Sequence, residues 1–168
     1  EGDLLAAVVH RRVREYPIEG GPSAFCESVR SARLVEAAEK ILRELRWTGV
    51  AMVEFRGGPD DFRLLEVNPR FWGALPLATA AGVNFPWLLC QLALGQDLGP
   101  APAYAEGVRV RFLPMDLAAA WSAFRVGNGR RRYVWGFLRD LLDPRVRDGI
   151  LDAGDWRASI AWWLNRRP

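Results

Sequence analysis

Lysine is almost absent from this sequence. Of the 23 basic residues, Lys40 is the one lysine and the other 22 are arginine. A site that binds phosphate groups through lysine side chains is therefore not expected from this sequence. The net charge of +3 is also small for a nucleic-acid-binding protein, whose basic footprint is normally stronger.

Cysteines and long apolar runs are also scarce. Cys26 and Cys90 are too few for a disulfide framework, and their apolar neighbours predict two small buried thiols. The longest apolar stretch, Phe85 to Leu94, is about half of the ~20 residues that cross a bilayer. No basic-then-apolar leader is recognisable. We therefore expect a cytoplasmic protein without a membrane partner.

The last part of the sequence combines arginine with aromatic residues. The run Arg130-Arg131-Arg132 is accompanied by Tyr133, Trp135, Trp156, Trp162 and Trp163. Such a mixture can bind single-stranded nucleic acid. Tryptophan at helical spacing is more often a packing residue, and the net charge is low, so we expect no nucleic-acid partner.

The first half of the sequence alternates between strand and helix patterns. Leu4 to Val13 predicts a strand, and Pro17 to Ser23 a turn-rich loop. From Ser31 an apolar stripe with helical period predicts a helix that Gly49 stops within a residue or two. Two further strands, Val50 to Arg56 and Phe62 to Asn68, are separated by a loop of hairpin length.

The second half predicts mostly helices. The predicted elements are helices near Leu75 to Ala81 and Phe85 to Leu94, a strand Val108 to Leu113, and helices Asp116 to Phe124, Val134 to Leu142 and Asp155 to Leu164. Gly99-Pro100-Ala101-Pro102 predicts a boundary. We expect an α/β (α+β) fold in which a domain of residues 1–103, an antiparallel sheet with flanking helices, precedes a mostly helical extension of residues 104–168.

Each of the two hairpin strands carries an acid, and their placement indicates a metal site. Residues two apart on a strand share a face, so Leu64, Glu66 and Asn68 point the same way. If Arg56 pairs with Phe62, Glu54 lies opposite Leu64 and diagonal to Glu66, at roughly 7–8 Å. Magnesium prefers such hard oxygen ligands and takes one or two protein carboxylates. The alternative is that both glutamates are solvent-facing acids, although both strands otherwise read as apolar on both faces.

The same stretches resemble a known family of enzymes. Val53-Glu54-Phe55 and Leu65-Glu66-Val67-Asn68-Pro69-Arg70 resemble the paired magnesium motifs of ATP-grasp enzymes. Phe71 to Ala78, Arg11 to Pro17 and Gly20 to Ser23 are similar to the carboxylate–amine ligase or predicted carboligase branch, which is carbamoyl phosphate synthetase-like. The resemblance covers roughly residues 4 to 95.

The resemblance implies roles for individual residues. Glu54, Glu66 and Asn68 would bind Mg²⁺ (or Mn²⁺ in its place), and Arg70 would be a catalytic residue at the transferred phosphoryl group; a surface ion pair is the alternative for Arg70. The residues expected at the ATP cofactor are Arg12, Arg14, Gly20, Gly21, Ser23 and Leu64. The glycines could equally form a plain turn, and the two arginines could be solvated.

The resemblance also implies a reaction. It is the Mg²⁺- and ATP-dependent joining of a small-molecule carboxylate to an amine or similar nucleophile, through an acyl-phosphate. The nucleotide-binding half of such enzymes does not appear here, and the sequence starts with a strand and no initiator Met. We therefore expect an N-terminal domain of the same chain upstream and an inactive fragment without it. The alternative is a non-catalytic remnant that serves as a binding or assembly module.

Overall fold

The computed structural model of the protein describes residues 3–58, 61–126, 131–151, 153–157 and 161. Its fold is mixed α/β with flanking helices, which confirms the predicted class. The strands are β1 (Val9–Glu15), β2 (Ser23–Val29), β3 (Met52–Gly57), β4 (Phe62–Asn68), β5 (Arg109–Arg111) and β6 (Val146–Asp148). The helices are α1 (Ala32–Glu44), α2 (Leu75–Ala80), α3 (Phe85–Ala93), α4 (Leu113–Val126) and α5 (Arg131–Leu141), with a 3-10 turn at Ala153–Asp155.

The chain divides into two compact units. The first unit consists of residues 1–11 and 28–107, and the second of residues 12–27 and 108–168. The second unit thus combines residues 108–168 with residues 12–27 from the front of the chain. The latter segment holds most of β1 and β2.

Helix α1 of the first unit is confirmed, but it ends earlier than predicted. Ser31 caps its start, since the side chain accepts a hydrogen bond from the Leu34 N–H at 3.3 Å. At the other end Arg46 adopts a left-handed φ of 49°, and the Trp47 N–H donates to the Leu42 carbonyl at 2.9 Å. The left-handed residue at such a helix end is usually glycine, which is why the sequence predicted the end near Gly49 instead.

The hairpin β3–β4 and the helices α2 and α3 also lie in the first unit, within two residues of their predicted bounds. Gly57 permits the tight connection, because its φ is 138° and an added Cβ would meet the Asp61 carbonyl oxygen. The apolar core of this unit includes Trp72, Leu77 and Val83. Trp72 packs edge-on against Phe85, with 5.1 Å between ring centroids.

The four-stranded sheet has the order β1-β2-β5-β6. Strand β2 pairs antiparallel with β5, and β5 pairs parallel with β6. The predicted strand at residues 4–13 is shifted to β1, and neither β2 nor β6 was predicted. Strand β2 runs through the buried residues Ala24, Phe25 and Cys26, and its small and polar side chains give little β-branched signal.

The later elements follow the predictions with adjusted bounds. Helices α4 and α5 each begin three residues before their predicted starts. The predicted helix 155–164 falls largely outside the described residues. Burial raises the pKa of the Cys26 thiol to about 12, as expected for a buried cysteine, but Cys90 is exposed and its predicted burial is wrong.

Candidate functional site

The two predicted acids are direct partners across the β3–β4 hairpin. The register pairs Met52 with Asn68, Val53 with Val67, and Glu54 with Glu66; beyond an irregularity it pairs Phe55 with Leu64, Arg56 with Arg63, and Gly57 with Phe62. Leu65 is therefore the extra residue of a β-bulge. The predicted register, with Glu54 opposite Leu64, is wrong. The bulge brings the carboxylates closer, because opposite residues have Cβ atoms about 4.5–5.5 Å apart.

The bulge also determines which side chains share a face. Opposite residues share a face of an antiparallel pair, so the pairs Met52–Asn68, Glu54–Glu66 and Arg56–Arg63 lie on one face. The other face carries an apolar set, in which Phe55 and Phe62 meet at 5.2 Å between ring centroids. We call the first of these faces the acid face.

Leu64 is consequently not on the acid face. It pairs with Phe55, so its predicted position beside Glu66 at the nucleotide is corrected. The expectation of a sheet covered on both faces is also wrong for β4. Leu64 and Leu65 are 49% and 56% exposed, and Glu66 is exposed as well. Burial therefore does not force a partner on Glu66.

Asn68 is fixed against Glu66. Its amide nitrogen Nδ2 donates to Glu66 Oε1 at 2.6 Å. The amide oxygen Oδ1 therefore remains to act as a neutral ligand beside the two carboxylates. This donor set of hard oxygens fits Mg²⁺, which takes few protein carboxylates and fills its shell with water and phosphate oxygens. The described residues contain no cluster of three or more His, Cys, Asp or Glu that could hold a metal.

Arg70 lies two residues after the end of β4 and is exposed. Its Nη1 donates to the Phe71 carbonyl at 3.0 Å, and its backbone N–H donates to the Asn68 carbonyl at 2.9 Å. Buried Trp72 anchors the segment two residues further on. Within the described part of the chain Arg70 has no carboxylate in ion-pair range, so the surface ion pair weighed above is not observed.

Arg14, predicted at the nucleotide, is instead the centre of a buried ion cluster in the second unit. It is 5% exposed and donates to both oxygens of Asp116, at 2.6 and 2.8 Å, and to Asp140 at 2.6 Å. Burial acts to lower the pKa of Arg14, but its hydrogen bonds to the two aspartates outweigh that effect and raise it. Its guanidinium also lies 4.2 Å from the centroid of the Phe25 ring. These contacts occupy Arg14, so the structure corrects its predicted place at the phosphates.

Arg12 is exposed and forms a 3.2 Å ion pair with Glu15 on the same strand. An ion pair of this kind contributes little to the free energy of folding. Its place at the ATP cofactor stays a prediction.

The Gly20-Gly21 loop of the second unit has the geometry of a tight turn. The Gly20 N–H donates to the Pro17 carbonyl at 3.2 Å, and the Tyr16 N–H donates to the Pro22 carbonyl at 3.2 Å. A Cβ on Gly21 would lie 2.4 Å from the Tyr16 carbonyl oxygen, so only glycine fits. The turn by itself explains both glycines, and Ser23 begins strand β2.

Sequence reasoning missed Arg56 and Arg63. They form the next direct cross-strand pair on the acid face, two residues along β3 from Glu54, and both are exposed. The signal was available, since one arginine stands at each end of the hairpin loop. It could be used only once the bulge had placed them on the same face.

Comparison with known families now defines the class. A family model described as ATP-grasp in the biosynthetic pathway with Ter operon matches residues 1–114. The chain is therefore an ATP-grasp protein, with the ATP-dependent, ligase-like role of that superfamily. In particular, it belongs to the ATP-grasp family of the biosynthetic pathway with Ter operon. A comparison with curated proteins gives no match. None of the described helices is both long and apolar enough to cross a membrane.

Proposed function

We propose that this chain carries the metal-binding part of an ATP-dependent carboxylate–amine ligase. The observation that supports the proposal is the direct pairing of Glu54 with Glu66 across the β3–β4 hairpin. Two like charges placed opposite each other on a sheet are destabilising. A divalent cation bound between the two carboxylates would relieve that repulsion.

The residues on the acid face have separate tasks in this proposal. Glu54 and Glu66 would hold Mg²⁺ through carboxylate oxygens, and Asn68 would add Oδ1 while its Nδ2 keeps Glu66 in place. The bound cation would neutralise charge on the phosphate oxygens of ATP. Arg70, whose planar fork suits two parallel hydrogen bonds, contacts the transferred phosphoryl group.

The proposed reaction has two steps. An oxygen of the substrate carboxylate attacks the γ-phosphorus of ATP, and the bond to the bridging oxygen breaks to release ADP. The amine nitrogen then attacks the acyl carbon of the resulting acyl-phosphate, and inorganic phosphate leaves. The protein contributes mainly by positioning the reactants and by stabilising charge.

Hydroxylamine trapping tests the proposal. The full-length protein, supplied with ATP, Mg²⁺ and mixtures of small carboxylic acids, should convert hydroxylamine to a hydroxamate. Glu66→Gln should abolish this product, whereas Glu36→Gln, which removes an exposed acid from α1, should not. If ATP cleavage proves independent of any carboxylate, or if Glu66→Gln keeps full activity, the proposal is wrong.

The second candidate is a non-catalytic binding module with the ATP-grasp fold. The exposure of Glu66 favours it, since that side chain is open to solvent in the described chain. This candidate predicts that Mg²⁺ and nucleotide bind without any carboxylate-dependent release of ADP. The same trapping experiment therefore separates the two candidates.

A further inference from the structure

The acid face continues past the glutamates into a basic pair. Arg56 and Arg63 are direct cross-strand partners, two residues along β3 from Glu54. A spacing of two strand residues corresponds to roughly 6–7 Å. The hairpin thus presents two like-charged pairs of opposite sign next to each other on one face.

Placing two arginines directly opposite each other is unfavourable, just as it is for the two glutamates. Both side chains are exposed, and in the described ranges no carboxylate lies in ion-pair range of either guanidinium. By contrast, Arg30 and Arg43 in the same unit each have an acidic partner. The pair at Arg56 and Arg63 therefore lacks the local compensation that these other exposed arginines have.

The bulge at Leu65 creates this arrangement. If Leu65 took a regular, paired place in β4, the alternation would put Arg63 on the face opposite Glu66 and Asn68. Because Leu65 bulges out of the pairing, Arg63 joins them on the acid face. Bulges commonly re-aim a side chain next to an active site.

We infer that Arg56 and Arg63 form an anion-binding pair that contacts the triphosphate of a nucleotide whose phosphates are also bound to the cation at Glu54 and Glu66. This inference rests on the proposed function. The cation neutralises the acidic pair and the phosphate oxygens neutralise the basic pair, so one metal–polyphosphate complex satisfies both. Guanidinium groups suit this role because they bind phosphate through paired hydrogen bonds. At this face arginines would then bind the phosphates, a role for which the sequence has almost no lysine.

The test measures binding of the ATP analogue with an imido β,γ-bridge to the full-length protein in the presence of Mg²⁺. The double variant Arg56→Gln/Arg63→Gln should raise the Kd by at least about 10-fold, since charge-assisted hydrogen bonds to phosphate contribute more free energy than neutral ones. The charge-matched control is Lys40→Gln/Arg43→Gln on the exposed side of α1, which should leave the Kd unchanged. Arg56→Lys/Arg63→Lys should fall between wild type and the double glutamine variant.

A second readout separates this inference from the proposed function. Mn²⁺ affinity of the nucleotide-free protein should be retained or increased in Arg56→Gln/Arg63→Gln, because two positive charges near the cation are removed. If the double variant binds the analogue as tightly as its control, the inference is overturned and the metal site stands. If the wild-type protein binds neither Mn²⁺ nor the analogue, the proposed function fails and the inference fails with it.

Discussion

Glu54 and Glu66 are direct cross-strand partners because Leu65 inserts a bulge between the two halves of the β3–β4 hairpin. The same bulge places Phe55 opposite Leu64, away from the acids. A single extra residue thus sorts the hairpin into an acid face and an apolar face. The site depends on this register as much as on the identity of the acids.

Inserting one residue between Glu54 and Phe55 should therefore be far more damaging than truncating Leu65. The inserted residue gives Leu65 a cross-strand partner, so the bulge disappears and Phe55 and Leu64 move to the face of the glutamates. We expect loss of Mg²⁺-dependent ATP turnover and a lower free energy of unfolding. Leu65→Ala keeps the register and trims a side chain that is 56% exposed, so both quantities should stay near wild type. Equal behaviour of the two variants in turnover assays and urea titrations would refute the role given to the bulge.

The strands of the hairpin could be predicted from sequence, but their register could not. Apolar and β-branched residues mark β3 and β4, and Gly57-Gly58 marks the turn. The position of a bulge depends on which pairing buries more apolar surface, and residues such as Phe62 and Leu64 fit either face until a packing partner is known. Arg33 of α1 lies 5.9 Å from the Phe62 ring centroid. Neighbours of this kind decide on which face Phe62 packs, and so where the bulge lies.

The role of Arg14 could not be predicted from the sequence either, because its partners are distant in the chain. Its partners Asp116 and Asp140 lie 102 and 126 residues further along the chain. An arginine in an alternating basic strand looks solvent-facing unless a buried carboxylate can be placed beside it. Only the assembled second unit supplies that information, so the pattern suggested a nucleotide contact instead.

Arg14→Met should strongly destabilise the second unit. The substitution leaves Asp116 and Asp140 without their guanidinium partner, and breaking a buried ion pair typically costs about 3–5 kcal/mol. Arg12→Gln, which removes an exposed ion pair on the same strand, should cost about 0–1 kcal/mol. Urea unfolding of both variants measures these differences, and near-equal midpoints would contradict the structural role of Arg14.

The ion cluster should also make stability depend on acid pH. Burial acts to raise the pKa of Asp140, but hydrogen bonds from Arg14 and Arg139 outweigh it and hold the pKa below its ordinary value. Asp140 therefore stabilises the fold fully above its unfolded pKa of about 3.9. That contribution is lost as the pH falls through the lower pKa of the folded state.

The corresponding measurement compares the wild type with Asp140→Asn in urea titrations from neutral pH to below pH 4. The difference in unfolding free energy should be largest at neutral pH and should shrink as the solution becomes more acidic than about pH 4. A difference that grows toward low pH would mean that Asp140 is protonated in the folded protein at neutral pH.

Arg70→Lys should reduce kcat much more than it weakens ATP binding. A guanidinium can form two parallel hydrogen bonds to phosphoryl oxygens, whereas an ammonium acts as a point charge. We expect a loss of roughly 10²–10³-fold in kcat, comparable to removing one preorganised donor. Steady-state kinetics of the full-length protein with both substrates varied gives the split between kcat and KM. An unchanged kcat would place Arg70 outside the reaction centre.

The most direct test of the metal site is an electron paramagnetic resonance titration of Mn²⁺ into the full-length protein with the ATP analogue present. Glu54→Gln and Glu66→Gln each keep the shape of the side chain and remove the charge that holds the cation. Each should weaken Mn²⁺ binding by at least about 10-fold, since even residues that only orient metal ligands have effects of that size. Glu36→Gln should bind Mn²⁺ like the wild type. Equal Mn²⁺ affinity in all four proteins would contradict a metal site between Glu54 and Glu66.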